Sequence, residues 1–255
     1  MKQGQRLWTR EELILAMNLY CQLPFGRLHR NNPEVVKLAE LIGRTAGSVA
    51  FKLVNLASLD PSLRARGVKG AQNVSKLDQE IWNEFNDNWE VLPFESEMLR
   101  AQAEGARIED RNLIPEQDLP HEGKVREQMV KVRVNQAFFR RAVLASYNST
   151  CCITGLQTPT LLVAGHIRPW SVDEKNRLNP HNGLAINALH DKAFEAGLLT
   201  ITPEYVVKVS PMLKEAGGAH DDFFHKYNGK SMILPSRFLP HKEFLDYHCR
   251  ERFQC

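Results

Sequence analysis

The chain has 255 residues, of which 43% are hydrophobic and 25% charged, a composition that excludes a largely disordered protein. No stretch approaches the roughly 18 consecutive apolar residues of a membrane span, and the polar start lacks the apolar segment of a secretory signal. The five cysteines are an odd number, which argues against a secreted disulfide scaffold. We therefore expect a cytoplasmic protein with no membrane partner.

Charge falls into three blocks. Residues 1–76 carry 12 lysines and arginines against 5 acidic residues, residues 77–123 carry 3 against 13, and residues 124–255 carry 18 against 12. Two basic blocks around an acidic one favour a polyanionic partner such as DNA, although charge blocks can also simply solvate a surface. The blocks predict a DNA-binding domain over 1–76, a helix and acidic linker over 77–123, and a second domain over 124–255.

The N-terminal block has the pattern of a helix-turn-helix. Thr9 and Glu12 form the spacing of a capping box, which predicts a helix start. A second helix is predicted to begin at Pro33, a favoured first position. The sequence Gly43-Arg44-Thr45 then predicts a tight turn into a third helix with apolar residues at helical spacing. Two helices joined by such a turn are the geometry that places the second one in a DNA groove.

On this interpretation the third helix reads DNA. Ser48, Lys52 and Asn55 are predicted to face outward, with Arg44 nearby, because asparagine pairs well with adenine and lysine reaches guanine or phosphate. A small β-wing is predicted around residues 67–74. The alternative is a plain helical hairpin with a solvated polar face.

The acidic block is predicted to begin with an amphipathic helix. Leu77, Ile81, Phe85 and Trp89 are spaced by four, which predicts a helix over residues 77–90 with a buried apolar face. Residues 100–123 hold few large apolar side chains and several prolines and glycines, so they are predicted to form an acidic linker.

The C-terminal block carries the residues suited to catalysis. The apolar run 161–165 predicts a strand that ends on His166, and Asn182 precedes a second short strand that leads into a helix with His190. A histidine at the end of a strand can accept a proton from water, and a metal near the helix start can stabilise the charge of a phosphodiester transition state. Asn182 can either pin the loop by hydrogen bonds or bind the metal.

Four motifs then resemble the HNH endonuclease family, in the branch found in bacterial restriction and defence nucleases. The resemblance extends over residues 125–255. It implies a C-terminal ββα-metal nuclease domain. Together with the helix-turn-helix or winged-helix-like domain predicted from the N-terminal pattern, this gives an α+β chain. The resemblance also implies that His166 is the general base, Asn182 the middle residue and His190 the final histidine. The motifs are Cys152-Ile153-Thr154-Gly155, Ala164-Gly165-His166-Ile167-Arg168-Pro169-Trp170-Ser171, Asn179-Pro180-His181-Asn182-Gly183-Leu184 and Leu189-His190-Asp191-Lys192-Ala193-Phe194.

The chain departs from the family at two metal-binding positions. Many members have an acidic residue or histidine before the base, where this chain has Gly165, and a second helix histidine where it has Phe194. Asp191 is the obvious substitute, so His190, Asp191 and Asn182 are the candidate ligands for one divalent ion. Adjacent helix residues such as His190 and Asp191 cannot both point the same way. Mg²⁺ or Mn²⁺ is expected from oxygen-rich ligation, with Ni²⁺ or Zn²⁺ as alternatives that a histidine ligand would favour.

Two further observations concern the surroundings of this site. Arg168 and Lys192 flank it and are predicted to bind DNA phosphates, unless they are only solvated. Some family members carry structural zinc on two Cys-x-x-Cys pairs, but this chain has only Cys151 and Cys152 locally, so no structural zinc is expected.

The resemblance and the charge blocks predict a metal-dependent DNA endonuclease. Its architecture resembles that of modification-dependent restriction enzymes, which implies antiphage defence against double-stranded DNA carrying 5-methylcytosine or 5-hydroxymethylcytosine. Cutting two strands favours a homodimer. One alternative is a sequence-specific restriction endonuclease that methylation blocks. The other is a non-catalytic DNA-binding regulator on a degenerate HNH fold.

Overall fold

The computed structural model describes residues 6–65, 67, 74–86, 88–213 and 218–255. The chain divides into two compact units, with the boundary between Phe138 and Phe139. Within the described residues, no helix has the length and apolar character needed to cross a membrane.

The N-terminal unit is helical and is built around its first helix. That helix, α1, is buried from Glu12 to Cys21 and contacts α2, α3, α5 and α6, because it is apolar on most of its circumference. The predicted capping box is confirmed: the Thr9 hydroxyl accepts from the Glu12 amide at 3.3 Å, and the Thr9 amide donates to the Glu12 carboxylate at 3.0 Å. The helices are α1 (Arg10–Gln22), α2 (Pro33–Leu41), α3 (Ala46–Ala57), α4 (Pro61–Ala65), α5 (Lys76–Asn86), α6 (Leu92–Glu104), α7 (Ile108–Arg111) and α8 (Lys124–Ser146), which continues past Phe138.

Helices α2 and α3 are joined by the predicted tight turn. Gly43 has a φ of +62°, a conformation that glycine adopts without steric cost. Thr45 caps α3 by accepting a hydrogen bond from the Ser48 amide at 3.2 Å. The helices of the expected helix-turn-helix are therefore present. Most of the predicted wing lies outside the described residues.

The prediction that Lys52 and Asn55 face outward on α3 is wrong. Both are buried, and the Lys52 ammonium lies 2.7 Å from the carboxylate of Asp78 at the start of α5. Arg44 is also held inside the unit, because its guanidinium binds Glu12 at 2.7 Å and stacks over the Trp8 ring at 4.2 Å. Ser48 is half-buried. Lys52 and Arg44 thus form ion pairs inside the unit. The pattern of a single helix cannot reveal such pairs, because the acidic partners lie on other helices.

Residues 100–123 do not form an extended linker. They contain the end of α6 and the one-turn helix α7, and Leu119 packs with Val130 and Val134 of α8 in a small apolar cluster. Arg126 contributes ion pairs to Glu109 and Glu116, each at 2.8 Å. Few apolar residues were enough to order this segment because ion pairs supplement them. The predicted domain limits at 76 and 123 stay a prediction.

The C-terminal unit is built on a two-stranded antiparallel sheet followed by a helix. In the first sheet Gly165 pairs with Leu184 and His166 with Gly183. The last residue of the first strand therefore lies beside the first residue of the second. The side chain of Asn187 caps the helix that follows by accepting from the His190 amide at 3.0 Å. The elements are β1 (Leu162–His166), β2 (Gly183–Asn187), α9 (Ala188–Glu195), β3 (Leu199–Ile201), β4 (Val207–Val209), α10 (Ala219–Phe223) and α11 (Lys242–Glu251), with β3 and β4 forming a second antiparallel pair.

Candidate active site

A cavity of about 440 Å³ lies beside strand β1 and helix α9. His166 and Gly165 line it from the strand, Asp191 from the helix and Trp170 from the loop after the strand. A proton acceptor and a carboxylate on one concave surface are the groups that hydrolytic chemistry requires. This cavity is the candidate active site.

His166 is held in one orientation by rings and by a carbonyl group. Its imidazole stacks on Phe139, with ring centroids 4.0 Å apart and planes within 3°. It also makes an edge-to-face contact with Trp170, with ring centroids 5.8 Å apart. Its Nε2 is 2.8 Å from the backbone oxygen of Arg177. Since a carbonyl oxygen only accepts, Nε2 carries the hydrogen of the neutral ring. That tautomer leaves the Nδ1 lone pair as the proton acceptor.

The surroundings of His166 also favour its neutral form. Burial lowers the pKa of this histidine below its usual value, and the hydrogen bond to the Arg177 carbonyl opposes that effect in part. A neutral imidazole can accept a proton from water at physiological pH, which is what a general base must do.

The Asp191 carboxylate lies in the space beside Gly165 that a side chain at position 165 would fill. A Cβ atom built on Gly165 would collide with a carboxylate oxygen of Asp191 and would lie 3.3 Å from a methyl group of Ile186. The absence of a side chain at 165 therefore makes room for the carboxylate. Burial raises the pKa of Asp191 to about 6, with Glu195 adding to the effect and Lys192 opposing it. No described residue donates a hydrogen bond to this carboxylate, which suits it to a cation.

Asn182 is a structural residue of the loop. It is fully buried, its side-chain oxygen accepts from the Arg168 amide at 2.8 Å, and its amide donates to the carbonyls of Arg168 and Asn176 at 3.1 and 3.2 Å. Of the two roles that the sequence left open, this geometry favours loop pinning. The expectation that Asn182 binds the metal is not supported, because its polar atoms are engaged and enclosed.

His190 does not share the cavity with His166. It is 2% exposed and lines a different cavity, together with Phe223 and Tyr227. Its Nε2 lies 2.5 Å from the Phe223 carbonyl oxygen, and its Nδ1 lies 2.9 Å from the Asn187 amide nitrogen. Both ring nitrogens are therefore occupied by protein partners. Adjacent residues of a helix point in different directions, so Asp191 faces the candidate site while His190 faces the other cavity.

Asn187, which caps α9 and binds His190, also binds a cysteine that sequence reasoning left without a role. The Cys151 sulfur accepts from the Asn187 amide at 3.4 Å and from the Thr154 amide at 3.5 Å. Burial opposes ionisation of this thiol, but its polar neighbours, His190 and Thr154, outweigh that effect and lower the pKa to about 6. This polar cluster ties the segment before β1 to the start of α9, so it fixes the helix that carries Asp191.

The two predicted phosphate-binding residues both have acidic partners. Arg168 pairs with Asp173 at 3.0 Å and lies over the rings of Phe244 and Tyr247, so it is held in the loop after β1. Lys192 lines the candidate cavity, is largely exposed and pairs with Glu195 at 3.1 Å. A role of either residue in binding DNA stays a prediction.

The side chains at the cavity fit a divalent ion that takes most of its ligands from water and substrate. Within the part of the chain that is described, no three or more His, Cys, Asp or Glu side chains are grouped to hold a metal. Asp191 can supply carboxylate oxygens, whereas the one ring nitrogen of His166 without a protein partner is the proton acceptor. Mg²⁺ is commonly bound through one or two carboxylates, with waters and substrate phosphates completing its coordination. Asp191 is therefore the residue that fits such an ion best.

Sequence reasoning missed the residues that orient His166. Phe139 was recognised only as an apolar helix residue, and no signal indicated that the Arg177 carbonyl would fix the tautomer. Both depend on how α8 and the loop after β1 pack against the strand. The sequence did indicate in part that Asp191 compensates for Gly165. A metal ligand usual for the family is missing at position 165, and an additional carboxylate is present at position 191.

Comparison with known proteins agrees with this geometry. Residues 151–202 match the model of an HNH endonuclease family, and this segment includes β1, β2, α9 and the cavity residues between them. None of the curated proteins compared with the chain matches it. The N-terminal unit has no such match, so the winged-helix interpretation is unconfirmed. The strand pair, the helix and the family match identify residues 151–202 as an HNH endonuclease domain within an α+β chain.

Proposed function

We propose that the chain is a metal-dependent DNA endonuclease in which His166 accepts the proton of the attacking water and Asp191 binds a divalent ion. The observation that carries this proposal is the placement of both side chains on one cavity, with Gly165 leaving space for the carboxylate. The HNH match supports nuclease chemistry.

The residues around His166 support its role as a base. The Arg177 carbonyl keeps the hydrogen on Nε2, and Phe139 fixes the plane of the ring. Nδ1 has no hydrogen-bond partner among the described residues, so it can accept the proton as the water oxygen attacks phosphorus. The bond from phosphorus to the 3′ oxygen then breaks, and that oxygen takes a proton from solvent. The products are a 5′-phosphate and a 3′-hydroxyl.

The role of Asp191 follows from its charge and its position. A divalent ion at this carboxylate would stabilise the negative charge that develops on the phosphate. Mg²⁺ and Mn²⁺ suit an oxygen ligand such as Asp191, and the one free lone pair of His166 is kept for the proton of the attacking water. Burial of Asp191 in the absence of a cation is unfavourable, and a bound cation would remove that cost.

We further propose that the enzyme is a modification-dependent restriction enzyme acting on cytosine-modified double-stranded DNA. A separate N-terminal unit supports this proposal, because a reader of the modified base needs a surface distinct from the nuclease site. A homodimer would supply one site for each strand. The packing of Lys52 inside the N-terminal unit leaves other residues of that unit to contact DNA.

The test is a plasmid nicking assay with Mg²⁺ or Mn²⁺ on matched DNA with and without 5-methylcytosine or 5-hydroxymethylcytosine. His166→Ala and Asp191→Ala are expected to abolish cutting, while the exposed controls His121→Ala and Asp221→Ala retain it. Cutting of modified DNA alone supports the full proposal. Cutting of unmodified DNA alone indicates a conventional restriction enzyme. DNA binding without cutting under any condition indicates a regulator and contradicts the proposal.

A further inference from the structure

The end of the chain is bound to the C-terminal end of helix α9. His248 lies close to the Phe194 carbonyl oxygen, with Nε2 at 3.1 Å, and stacks on the Phe194 ring. Gln254 donates its backbone amide to Gly197 at 2.9 Å and its side-chain amide to Ala196 at 2.7 Å. Successive carbonyls at this helix end are thus satisfied by one segment, residues 248–254.

This attachment fixes the backbone of Arg252. A Cβ atom on Gly197 would collide with the Arg252 carbonyl, so the two backbones approach as closely as glycine permits. The Arg252 amide donates to the His248 carbonyl at 3.1 Å. The Ser210 hydroxyl further binds the carbonyl of Gln254. The backbone of Arg252 therefore has a defined position.

Arg252 lies at the candidate active site. It lines the cavity that also contains His166 and Asp191. Its Nη2 donates to the Glu195 carbonyl at 3.0 Å. A guanidinium has five N–H donors, so most of them remain for another acceptor. The bond to Glu195 holds the group beside the helix that carries Asp191.

Arg252 differs from its basic neighbours in its electrostatic partners. Lys192 pairs with Glu195, Arg168 with Asp173 and Arg177 with Glu174. Among the described residues, no carboxylate forms an ion pair with Arg252. Its charge is therefore available to an external anion, whereas the charges of its neighbours are partly neutralised.

We propose that Arg252 is a catalytic residue that binds the non-bridging oxygens of the scissile phosphate. This inference rests on the proposed nuclease function. Planar guanidinium groups bind phosphate oxygens through paired hydrogen bonds, and the charge on those oxygens grows as the water attacks. The residue lies some 60 positions after Asp191 in the sequence, and the attachment of the tail to α9 brings the two together.

A purely structural role would give Arg252 a different signature. If it only caps the carbonyl of Glu195, its loss should resemble the loss of another bond between the tail and the helix. Gln254→Ala removes such a bond without removing a charge. Arg250→Ala removes a positive charge two residues before Arg252, at the end of α11, where Arg250 pairs with Asp246 at 2.8 Å. These two variants are the matched controls.

The experiment measures nicking of supercoiled plasmid at increasing DNA concentrations in Mn²⁺, together with thermal melting of each full-length variant. Arg252→Ala is expected to lower kcat on the order of 10- to 100-fold, with a much smaller change in KM. Arg252→Lys should retain intermediate activity, because it keeps the charge but loses the fork. Gln254→Ala and Arg250→Ala should stay within a few-fold of the unaltered enzyme.

Three results would overturn the inference while leaving the nuclease function intact. They are unchanged kcat in Arg252→Ala, an equal loss in Gln254→Ala, and an equal loss in Arg250→Ala. If the unaltered protein does not nick DNA at all, the nuclease proposal fails separately. In that case the affinity of each variant for duplex DNA is measured in EDTA. If Arg252→Ala binds as tightly as Arg250→Ala, the phosphate contact is also rejected.

Discussion

The carboxylate of Asp191 occupies the volume that a side chain at position 165 would need. Strand β1 supplies the histidine of the candidate site and, because of Gly165, no side chain beside it. Helix α9 supplies the carboxylate instead. The two residues are therefore coupled: the size of residue 165 determines where the charge of residue 191 can lie.

Gly165→Ala is expected to reduce nicking nearly as much as Asp191→Ala. The added methyl group would collide with the Asp191 carboxylate and would also lie 3.3 Å from a methyl group of Ile186. Plasmid nicking rates measure the effect. Gly47→Ala on α3 is the control, because its nearest atom is 4.0 Å away.

The same coupling predicts a partial rescue. Gly165→Asp combined with Asp191→Ala returns a carboxylate to the cavity from the strand and should nick faster than Asp191→Ala alone. A Gly165→Ala enzyme with unaltered activity would show that Asp191 need not lie where the structure places it.

Much of this site could be predicted from sequence, but its side-chain directions could not. The strand before His166, the second strand and the helix are local patterns, and the structure has all three. Whether His190 or Asp191 faces the cavity depends on how α9 rotates against the strands, which packing determines. The burial of Lys52 depends likewise on Asp78, which belongs to a different helix. Such pairings between distant segments leave no local signal.

Asp191→Asn is expected to raise the melting temperature of the metal-free protein at pH 7.5. Burial raises the pKa of Asp191 to about 6, so between its usual value of 3.8 and about 6 the folded state holds the proton more tightly than the unfolded state. Stability from this group is present at low pH and is lost as pH rises through about 6. The neutral amide avoids that loss.

Thermal melting across pH 4–8 measures this effect. A gain of roughly 2–4 °C at pH 7.5 corresponds to about 1 kcal/mol in a domain of 150–250 residues. The gain should vanish near pH 4. Mn²⁺ should raise the melting temperature of the unaltered protein and not that of Asp191→Asn. Equal stabilisation of both proteins by Mn²⁺ would place the metal elsewhere.

His190→Gln is expected to lower stability more than catalysis. His190 is buried outside the His166 cavity and joins the Asn187 side chain to the Phe223 carbonyl. Loss of those bonds should lower the melting temperature, while the folded fraction should retain a nicking rate within about ten-fold of the original. Rates normalised to folded protein test this. If His190→Gln lost as much nicking activity as His166→Ala, His190 would have a catalytic role after all.

Lys52→Ala is expected to destabilise the N-terminal unit by about 3–5 kcal/mol, because it leaves the buried Asp78 without its cation. Lys52→Met with Asp78→Asn should recover part of that stability, since no charge is then left unpaired. Lys37→Ala is the control: its pair with Glu34 is exposed and contributes little. Urea unfolding gives the free energies. A DNA-binding defect in folded Lys52→Ala of unchanged stability would restore the recognition-helix interpretation.

His248 is expected to make the protein less stable as pH falls below about 6.5. Burial lowers the pKa of this histidine to about 4, and the Arg252 charge adds to the effect, while the Phe194 carbonyl opposes it. Between about 4 and 6.5 the unfolded chain binds the proton more readily, so stability rises with pH across that window and is lost as pH falls through it. At pH 5 the loss from this group is about 2 kcal/mol relative to pH 7.5.

His248→Gln removes the titration and should flatten that part of the stability profile, although it lowers stability at pH 7.5 by weakening the bonds to Thr200 and Phe194. Urea unfolding at half-unit intervals from pH 4.5 to 7.5 measures both slopes, with the exposed His121→Gln as control. Identical slopes in the unaltered protein and His248→Gln would mean that His248 is not the residue that couples folding to acid. Because His248 stays neutral in the folded state down to about pH 4, its titration should leave the nicking rate of folded protein unchanged between pH 5 and 7.5.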